Sequence, residues 1–383
     1  MKFIHVSDLH IGKRVGEYSM LDDQKHALSE LLRIIDDEQP DALVIAGDVY
    51  DKSMPPAEAV EIFDWFVVEL ASRIIPTFII SGNHDSPERL AFLNKLIDPS
   101  GIHISSAYKG KVEPISLKDE FGEVFIYMLP FVKPQTVRRT TDEDINSYTQ
   151  AVAHCIKEMN VDPSTRNVLV THQFVAGAER TESEEISVGG SDSVDPSVFS
   201  VFDYVALGHI HRAQSVSEKK IRYSGTPLKY SFSEINDVKG AVVAELGKKG
   251  ELNIRFRQIK PLRDMAEIRG TYEELTAKSF YEGTNYRDDY LKIVLTDEED
   301  VLGVGAKLRV IYKNYIKIVY DNARTRESRE IAEVERVEEK TPLELFRELY
   351  VLQNNSEMTE EQEAIVKKLI AKIWGGEDAS EED

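Results

Sequence analysis

The chain has 383 residues, 42% of them hydrophobic, and a formal net charge of −21, which is room for two or more domains and an ordinary apolar content for a soluble globular protein. Its lone cysteine, Cys155, excludes an internal disulfide and points to a reducing compartment. No apolar run approaches the roughly 18 residues of a membrane span, and the charge argues against a stand-alone nucleic-acid binder, which presents a basic face.

The first strand-like residues lead at once to a charged motif at Asp8, so no signal peptide is expected and the protein should be cytoplasmic. Short apolar runs bounded by turn residues recur at 3–6, 42–46, 77–80, 168–170 and 204–207. Such runs read as buried strands of an α/β sheet. Helical patterns fall between them at 26–37, 57–72, 87–98 and 146–159. In the second, Val60, Phe63, Val67 and Leu70 form a stripe that Ile62 and Phe66 broaden. Packing on a sheet accounts for the stripe, while its width, and that of Leu90, Phe92, Leu93, Leu96 and Ile97, suggests a further contact. Cys155 lies in the last of these patterns and reads as a small buried residue.

After Lys260-Pro261 the pattern changes. Strands at 290–296 and 316–320 around a helix near 306–312 make a small α+β module with no metal-binding types of its own. Residues 321–341 are charge-dense and read as linker or solvated helix. Two short amphipathic segments follow. The first, 342–352, aligns Leu345, Phe346, Leu349 and Leu352. The second opens on a capping-box pattern from Thr359 to Gln362 and aligns Ile365, Val366, Leu369, Ile370 and Ile373. Helices this short are marginal alone, so their apolar faces need the module or another protein. Residues 377–383 form an acidic tail that reads as solvated. There is no G-x-x-x-x-G-K-[ST] loop, so any ATP dependence is supplied in trans.

Every one of the five early strands ends in metal-ligating types: Asp8-x-His10, Asp48, Asn83-His84, His172 and His209-x-His211. Ligands of α/β sheets gather at the carboxyl ends of strands, so five such ends describe a two-metal site. Any one of these histidines alone could be a satisfied polar residue; five ordered pieces together are not. Asp and His suit borderline first-row divalent ions, and the lack of thiolates argues against a closed structural zinc. Asp48 is the natural bridge for two ions about 3.5–4 Å apart. Asn83 adds a neutral ligand that keeps the site cationic enough for a phosphate diester. His84 adjoins a ligand and can protonate a leaving oxygen. Of the basic clusters, most read as solvated surface, but Lys13-Arg14 leaves the sheet beside two ligands and can contact a nucleic-acid phosphate.

On these motifs the chain resembles the calcineurin-like metallophosphoesterases, and more narrowly the nuclease subunits of bacterial SbcCD exonucleases, relatives of the Mre/Rad double-strand-break repair nucleases. The resemblance also rests on residues 8–14 (DLHIGKR), Asp23-Gln24, 172–177 (HQFVAG), Gly189-Gly190, 202–211 (FDYVALGHIH), 222–234 (RYSGTPLKYSFSE) and Lys239-Gly240, and it thins after about residue 265. It implies an α/β fold: a metallophosphoesterase β-sandwich flanked by helices, with a small α+β capping domain and C-terminal helices. The implied division is 1–265 (nuclease), 266–325 (cap) and 326–383 (linker, ATPase-binding helices and tail).

By the same resemblance, Asp8, His10, Asp48 and His211 hold one ion, and Asp48, Asn83, His172 and His209 the other, with His84 acting on the departing 3′ oxygen. Asp51 stands where archaeal relatives carry a second histidine and is read as support or substrate positioning. The implied activity is a manganese-dependent DNA nuclease of repair, recombination and replication, degrading duplexes from the 3′ end, opening hairpins and cutting single strands. Its implied partner is an SbcC-type coiled-coil ATPase seated on the C-terminal helices, in a heterotetramer built on a homodimer. Two other readings stand beside it: a small-molecule phosphoesterase on the same metal core, and a scaffold with a vestigial metal site that only seats the ATPase.

Overall fold

Alternate residues of the first strand, Lys2–Val6, enter two different cores: Ile4 and Val6 one, Phe3 the other. This is the period of two expected of a strand buried on both faces. The computed structural model describes residues 1–92, 94–184, 192–323, 343, 346–347, 349–350 and 358–374. Among them, two six-stranded sheets stack face to face. The first runs in the order Leu252–Gln258, Gly240–Leu246, Lys2–Val6, Ala42–Ala46, Thr77–Ile80, Ile102–Ile104. Its last four strands are parallel, and Gly240–Leu246 joins antiparallel to Lys2–Val6. The second runs Gln214–Val216, Glu218–Tyr223, Tyr204–Gly208, Arg166–His172, Gly122–Leu129, Ile115–Asp119, with the four central strands parallel.

Phe3, Val44, Phe78, Ile126, Val168, Val170 and Tyr204 fill the space between the sheets. The outer face of the first sheet is covered by helices Leu21–Glu38 and Ala57–Ser72, and that of the second by Tyr148–Glu158. The result is the helix-flanked β-sandwich expected from the sequence. Parallel strands in both sheets aim their carboxyl ends at one edge of the sandwich, where every candidate ligand lies.

Helix Ala57–Ser72 forms over the expected residues, but its inner face is Ala59, Phe63, Phe66 and Leu70, while Val60 is 44% and Val68 57% exposed. The pattern at 26–37 is part of a longer helix, Leu21–Glu38, and that at 146–159 appears as Tyr148–Glu158 behind a capping box of Ser147 and Gln150. The single helix expected at 87–98 is instead the short helices Pro87–Leu90 and Asn94–Ile97 and a 3₁₀ turn, Asp98–Ser100. Asn94 explains part of the break: its amide oxygen accepts from Lys95 N at 2.7 Å and its amide nitrogen reaches the Ile104 carbonyl, so it competes with the helical ladder.

The chain divides into two compact units. The first comprises Met1–Ile268, Leu275–Ile293 and Gly303–Ile318 and holds both large sheets; the second comprises Arg269–Glu274, Val294–Leu302 and Val319–Asp383. Beyond the sandwich, strands Met265–Gly270, Tyr290–Leu295 and Tyr315–Tyr320 form a three-stranded sheet in that order, with a short helix at Val304–Arg309. In the second unit, helix Glu360–Trp374 starts on the expected capping box: Gln362 N donates to Thr359 Oγ1, and Thr359 N to Gln362 Oε1 at 2.9 Å. On that helix Val366 is buried, while Ile365 and Leu369 are more than half exposed. Of the segment at 342–352, Leu343, Phe346, Arg347, Leu349 and Tyr350 are helical, and Leu345 and Leu352 lie outside the described residues, as do Gly189-Gly190, most of 321–341 and the acidic tail. Among the described residues no helix is long and apolar enough to cross a membrane.

Candidate metal centre

Four of the residues at the edge of the sandwich have left-handed backbones although none is glycine: Asp8 (φ 53°), His10 (φ 46°), Asp48 (φ 50°) and His209 (φ 101°). That conformation is unfavourable for a side-chain-bearing residue and persists only where surrounding bonds enforce it. Here they do: Asp8 N and His10 N donate to the Gly47 and Asp48 carbonyls at 3.0 Å, while Asp8 Oδ1 accepts from His209 N at 3.0 Å. Two glycines allow close approaches, one between the sheets and one between neighbouring loops of the first sheet. A Cβ on Gly208 would overlap the Ala46 carbonyl oxygen, and one on Gly82 would overlap the Asp48 carboxylate. The strained turns and the bare glycines together swing donor atoms from both sheets into one buried volume.

Asp48 is central. Its Oδ2 lies 3.3 Å from His172 Nε2, 3.8 Å from His10 Nε2 and 4.0 Å from His84 Nε2, and its Oδ1 accepts from His84 N at 2.9 Å. On one side, His10 Nε2 faces His211 Nε2 at 3.1 Å, and the donors of Asp8, His10 and His211 lie within 4.8 Å of one another. On the other, Asn83 Oδ1 is 3.0 Å from His172 Nε2 and 2.9 Å from His209 Nδ1. The structure therefore brings together all seven residues singled out as ligands, with Asp48 touching both groups. His84 joins them differently: its side chain is 20% exposed, its ring meets that of His10 edge-on at 4.9 Å, and its Nδ1 lies 3.0 Å from the Asp51 carbonyl oxygen.

Asp51 and Lys13 form one pair beside the cluster, with Lys13 Nζ 2.8 Å from Asp51 Oδ1, an oxygen that is also 3.6 Å from His10 Nδ1. Lys13 is thus committed to Asp51. Arg14 is exposed on a short hairpin of its own and donates to the Glu17 carbonyl.

Comparison with known proteins agrees with this geometry. Residues 1–213 match the calcineurin-like phosphoesterase family, and residues 261–354 match the family described as type 5 capsule protein repressor C-terminal domain. The chain is 32% identical to the D component of the SbcCD nuclease of Staphylococcus epidermidis, over 97% of this chain and 99% of that one. The chain belongs to the SbcD family of calcineurin-like phosphoesterases. Among solved structures it is similar to a dimetal phosphatase from Danio rerio (11% identity, 68% of this chain and 96% of that one, TM-score 0.41) and to the protein TT1561 of Thermus thermophilus (11%, 68% and 99%, TM-score 0.38). Membership makes this chain a metal-dependent phosphodiester hydrolase.

The residues present fit divalent cations. Asp8 and Asp48 are buried carboxylates, and among the described residues neither pairs with a Lys or Arg. Burial pushes the Asp8 carboxyl up to about 7, aided by the Asp48 charge and opposed by His172, as expected where negative charge lacks a counterion. Burial also holds the imidazoles of His10 and His211 well below the ordinary histidine range, and brings His209 down to about 3. Neutral imidazoles offer lone pairs, the form a metal needs. His172 behaves differently: burial acts downward, but Asp48 outweighs it and raises the ring to about 9. A bound cation would compete with that proton for the same carboxylate. His10 Nδ1 is a buried atom with no hydrogen-bond partner among the described residues.

The sequence reading missed the groups that hold the ligand loops. Asp85, next to His84, accepts from Gly82 N (2.9 Å), Val49 N (3.1 Å) and Tyr50 N (2.9 Å), tying the Asp48 and Asn83 loops together. Gln24 donates to the His10 carbonyl at 2.6 Å and to Tyr230 Oη at 3.0 Å and accepts from Gly12 N at 2.9 Å, while Tyr230 donates to the Leu9 carbonyl at 2.6 Å. Gln24 and Tyr230 stand within motifs that carried the resemblance, but nothing in their local pattern shows what they bind. His172 Nδ1 faces the Ala46 carbonyl at 2.8 Å, which turns Nε2 inward.

Proposed function

We propose that the protein is a manganese-dependent DNA nuclease, with 3′-to-5′ exonuclease action on duplexes and endonuclease action on hairpins and single strands. The observation that supports this most is a complete donor set in a chain that matches an SbcCD nuclease component over 97% of its length. A small-molecule phosphoesterase has no use for the residues beyond the sandwich, which the second family model covers to residue 354. A vestigial scaffold would not keep every donor and its supports.

In this reading Asp8, His10, Asp48 and His211 hold one divalent ion, and Asp48, Asn83, His172 and His209 the other. When bound, the ions supply an activated water and neutralise charge on the phosphate oxygens. His84 delivers a proton. Its Nδ1 faces a carbonyl oxygen, which only accepts, so Nδ1 carries hydrogen and Nε2, on the Asp48 side, is the atom that gives a proton to the departing 3′ oxygen. The Asp51 carbonyl orients this ring, and the Asp51 carboxylate keeps Lys13 at the rim of the site. With Lys13 so placed, Arg14 is the freer of the two for a DNA phosphate.

The proposed division is a nuclease domain at 1–265, a cap at 266–325, and linker, ATPase-binding helices and tail at 326–383. The half-exposed Ile365 and Leu369 support a helix-in-groove contact with an SbcC-type coiled-coil ATPase. Exposed Val60 and Val68 support a homodimer through helix Ala57–Ser72, giving a heterotetramer in the cytoplasm. The net charge of −21 fits this division of labour, because the partner then supplies much of the DNA affinity. The test is cleavage of end-labelled DNA by the purified chain with Mn²⁺, wild type beside His84→Ala. Cleavage that vanishes in the variant while bound metal stays establishes the scheme; a fully metallated wild type that cuts small phosphodiesters but no DNA, with or without the ATPase, overturns it.

A further inference from the structure

The polar atoms of His211 can be accounted for one by one. Its N donates to Glu184 Oε1 at 2.6 Å, and its carbonyl accepts from Lys239 Nζ at 2.8 Å and Thr226 N at 3.1 Å. Its Nδ1 lies 2.6 Å from Ser183 Oγ. Only Nε2 is left to face the donors of Asp8 and His10. Ser183 is in turn 2.5 Å from Glu234 Oε1, and the other oxygen of that fully buried carboxylate is 2.6 Å from Lys239 Nζ.

The order of hydrogens follows from the acceptors. A carboxylate oxygen paired with a lysine only accepts, so the Ser183 hydroxyl donates to Glu234. The Ser183 oxygen must then accept from His211 Nδ1–H, with its second lone pair open to Thr181 Oγ1 at 2.8 Å. That fixes one tautomer, with the lone pair of Nε2 turned into the metal centre. His172 reaches the same tautomer through one backbone carbonyl; His211 needs three side chains from two distant segments.

We infer that Ser183, Glu234 and Lys239 form a positioning relay that sets the orientation and tautomer of His211 and so governs uptake of one of the two ions. This rests on the two-ion reading proposed above. Ser183 and Glu234 are positioning residues, since they reach the centre only through His211.

The test is calorimetric titration of the full-length chain with Mn²⁺, together with the electron paramagnetic resonance spectrum of the loaded protein. Wild type, Ser183→Ala, Ser183→Thr, Glu234→Gln and His211→Ala would be compared, with a thermal melt of each in chelator. Wild type should take up two ions and show a spin-coupled pair. Ser183→Ala should weaken one ion by roughly 10–100-fold, the usual cost of losing a partner of a metal-bound histidine, and leave the other unchanged. Its spectrum should pass to that of an isolated ion at Mn²⁺ levels that still saturate wild type. Ser183→Thr keeps the hydroxyl and should restore both ions; Glu234→Gln should weaken the same ion as Ser183→Ala, and His211→Ala more strongly. Two equal binding constants in Ser183→Ala and wild type overturn the relay, as does an equal loss at both ions with a lowered melt, which is a merely structural effect. A wild type that binds a single ion overturns the two-ion reading itself, and the relay falls with it.

Discussion

The buried donors of the centre and its one partly exposed imidazole, His84, are built in opposite ways. His10, His172 and His211 are at most 3% exposed, and the left-handed backbones of Asp8, His10, Asp48 and His209 are held by a closed set of hydrogen bonds. His84 has an ordinary backbone, one ring nitrogen on the Asp51 carbonyl, and an edge open to solvent. Under the roles proposed above, the difference is chemical. A ligand must keep one lone pair aimed at a fixed point, which rewards burial and strain, whereas a group that passes a proton must meet substrate and water and recover its proton afterwards.

The largest effect should come from Asp48→Asn, because Asp48 touches both donor groups: bound metal, measured by elemental analysis, should fall at both positions, and cleavage by more than a missing general acid costs. His84→Ala should keep both ions yet lose ~10²–10⁴-fold in rate. Metal lost with His84 would erase the contrast between ligand and proton donor. Gly208→Ala sharpens the structural side: the added methyl meets the Ala46 carbonyl, and stability to denaturant should drop by about 1–3 kcal/mol or more, the cost of overpacking. An alanine variant as stable as wild type would mean that the sheets have slack at this edge.

The smallest effect lies away from the centre. Hydrogen bonds from Arg255, with burial opposing and Arg257 assisting, hold the Glu38 carboxyl down to about 2 from its ordinary 4.5. A depressed folded-state value means that this pairing contributes in full above the ordinary value and is lost as pH falls from 4.5 through about 2. Thermal melts across that window should show a slope that Glu38→Gln reduces, with the metal centre untouched near neutrality.

Much of this was legible because the informative signals are local. An apolar run followed by Asp-x-His, Asp, Asn-His, His or His-x-His states both a strand and what its end carries, and the strands appeared where that pattern put them. The capping box at Thr359 and Gln362 is local in the same way. Local reading failed where distant groups compete. The expected helix at 87–98 is broken between Leu90 and Asn94, and the Asn94 amide bonds to the backbone of Lys95 and Ile104. In helix Ala57–Ser72 the stripe was visible, but which of its apolar residues face inward was decided by the sheet and the helix beneath it.

The sequence by itself determined the kinds of donor atom, their order along the chain, and that each sits at or just past the end of a buried strand, because side-chain chemistry and strand periodicity are properties of a few consecutive residues. Only the tertiary structure decided that Asp85 ties two loops, that Gly208 and Gly82 must lack a Cβ, that Lys13 is held by Asp51, and that His211 rests on Ser183 and Glu234. Those are contacts between segments far apart in the chain, and a hydrogen bond or a steric overlap exists only once both of its atoms have been brought to the same place.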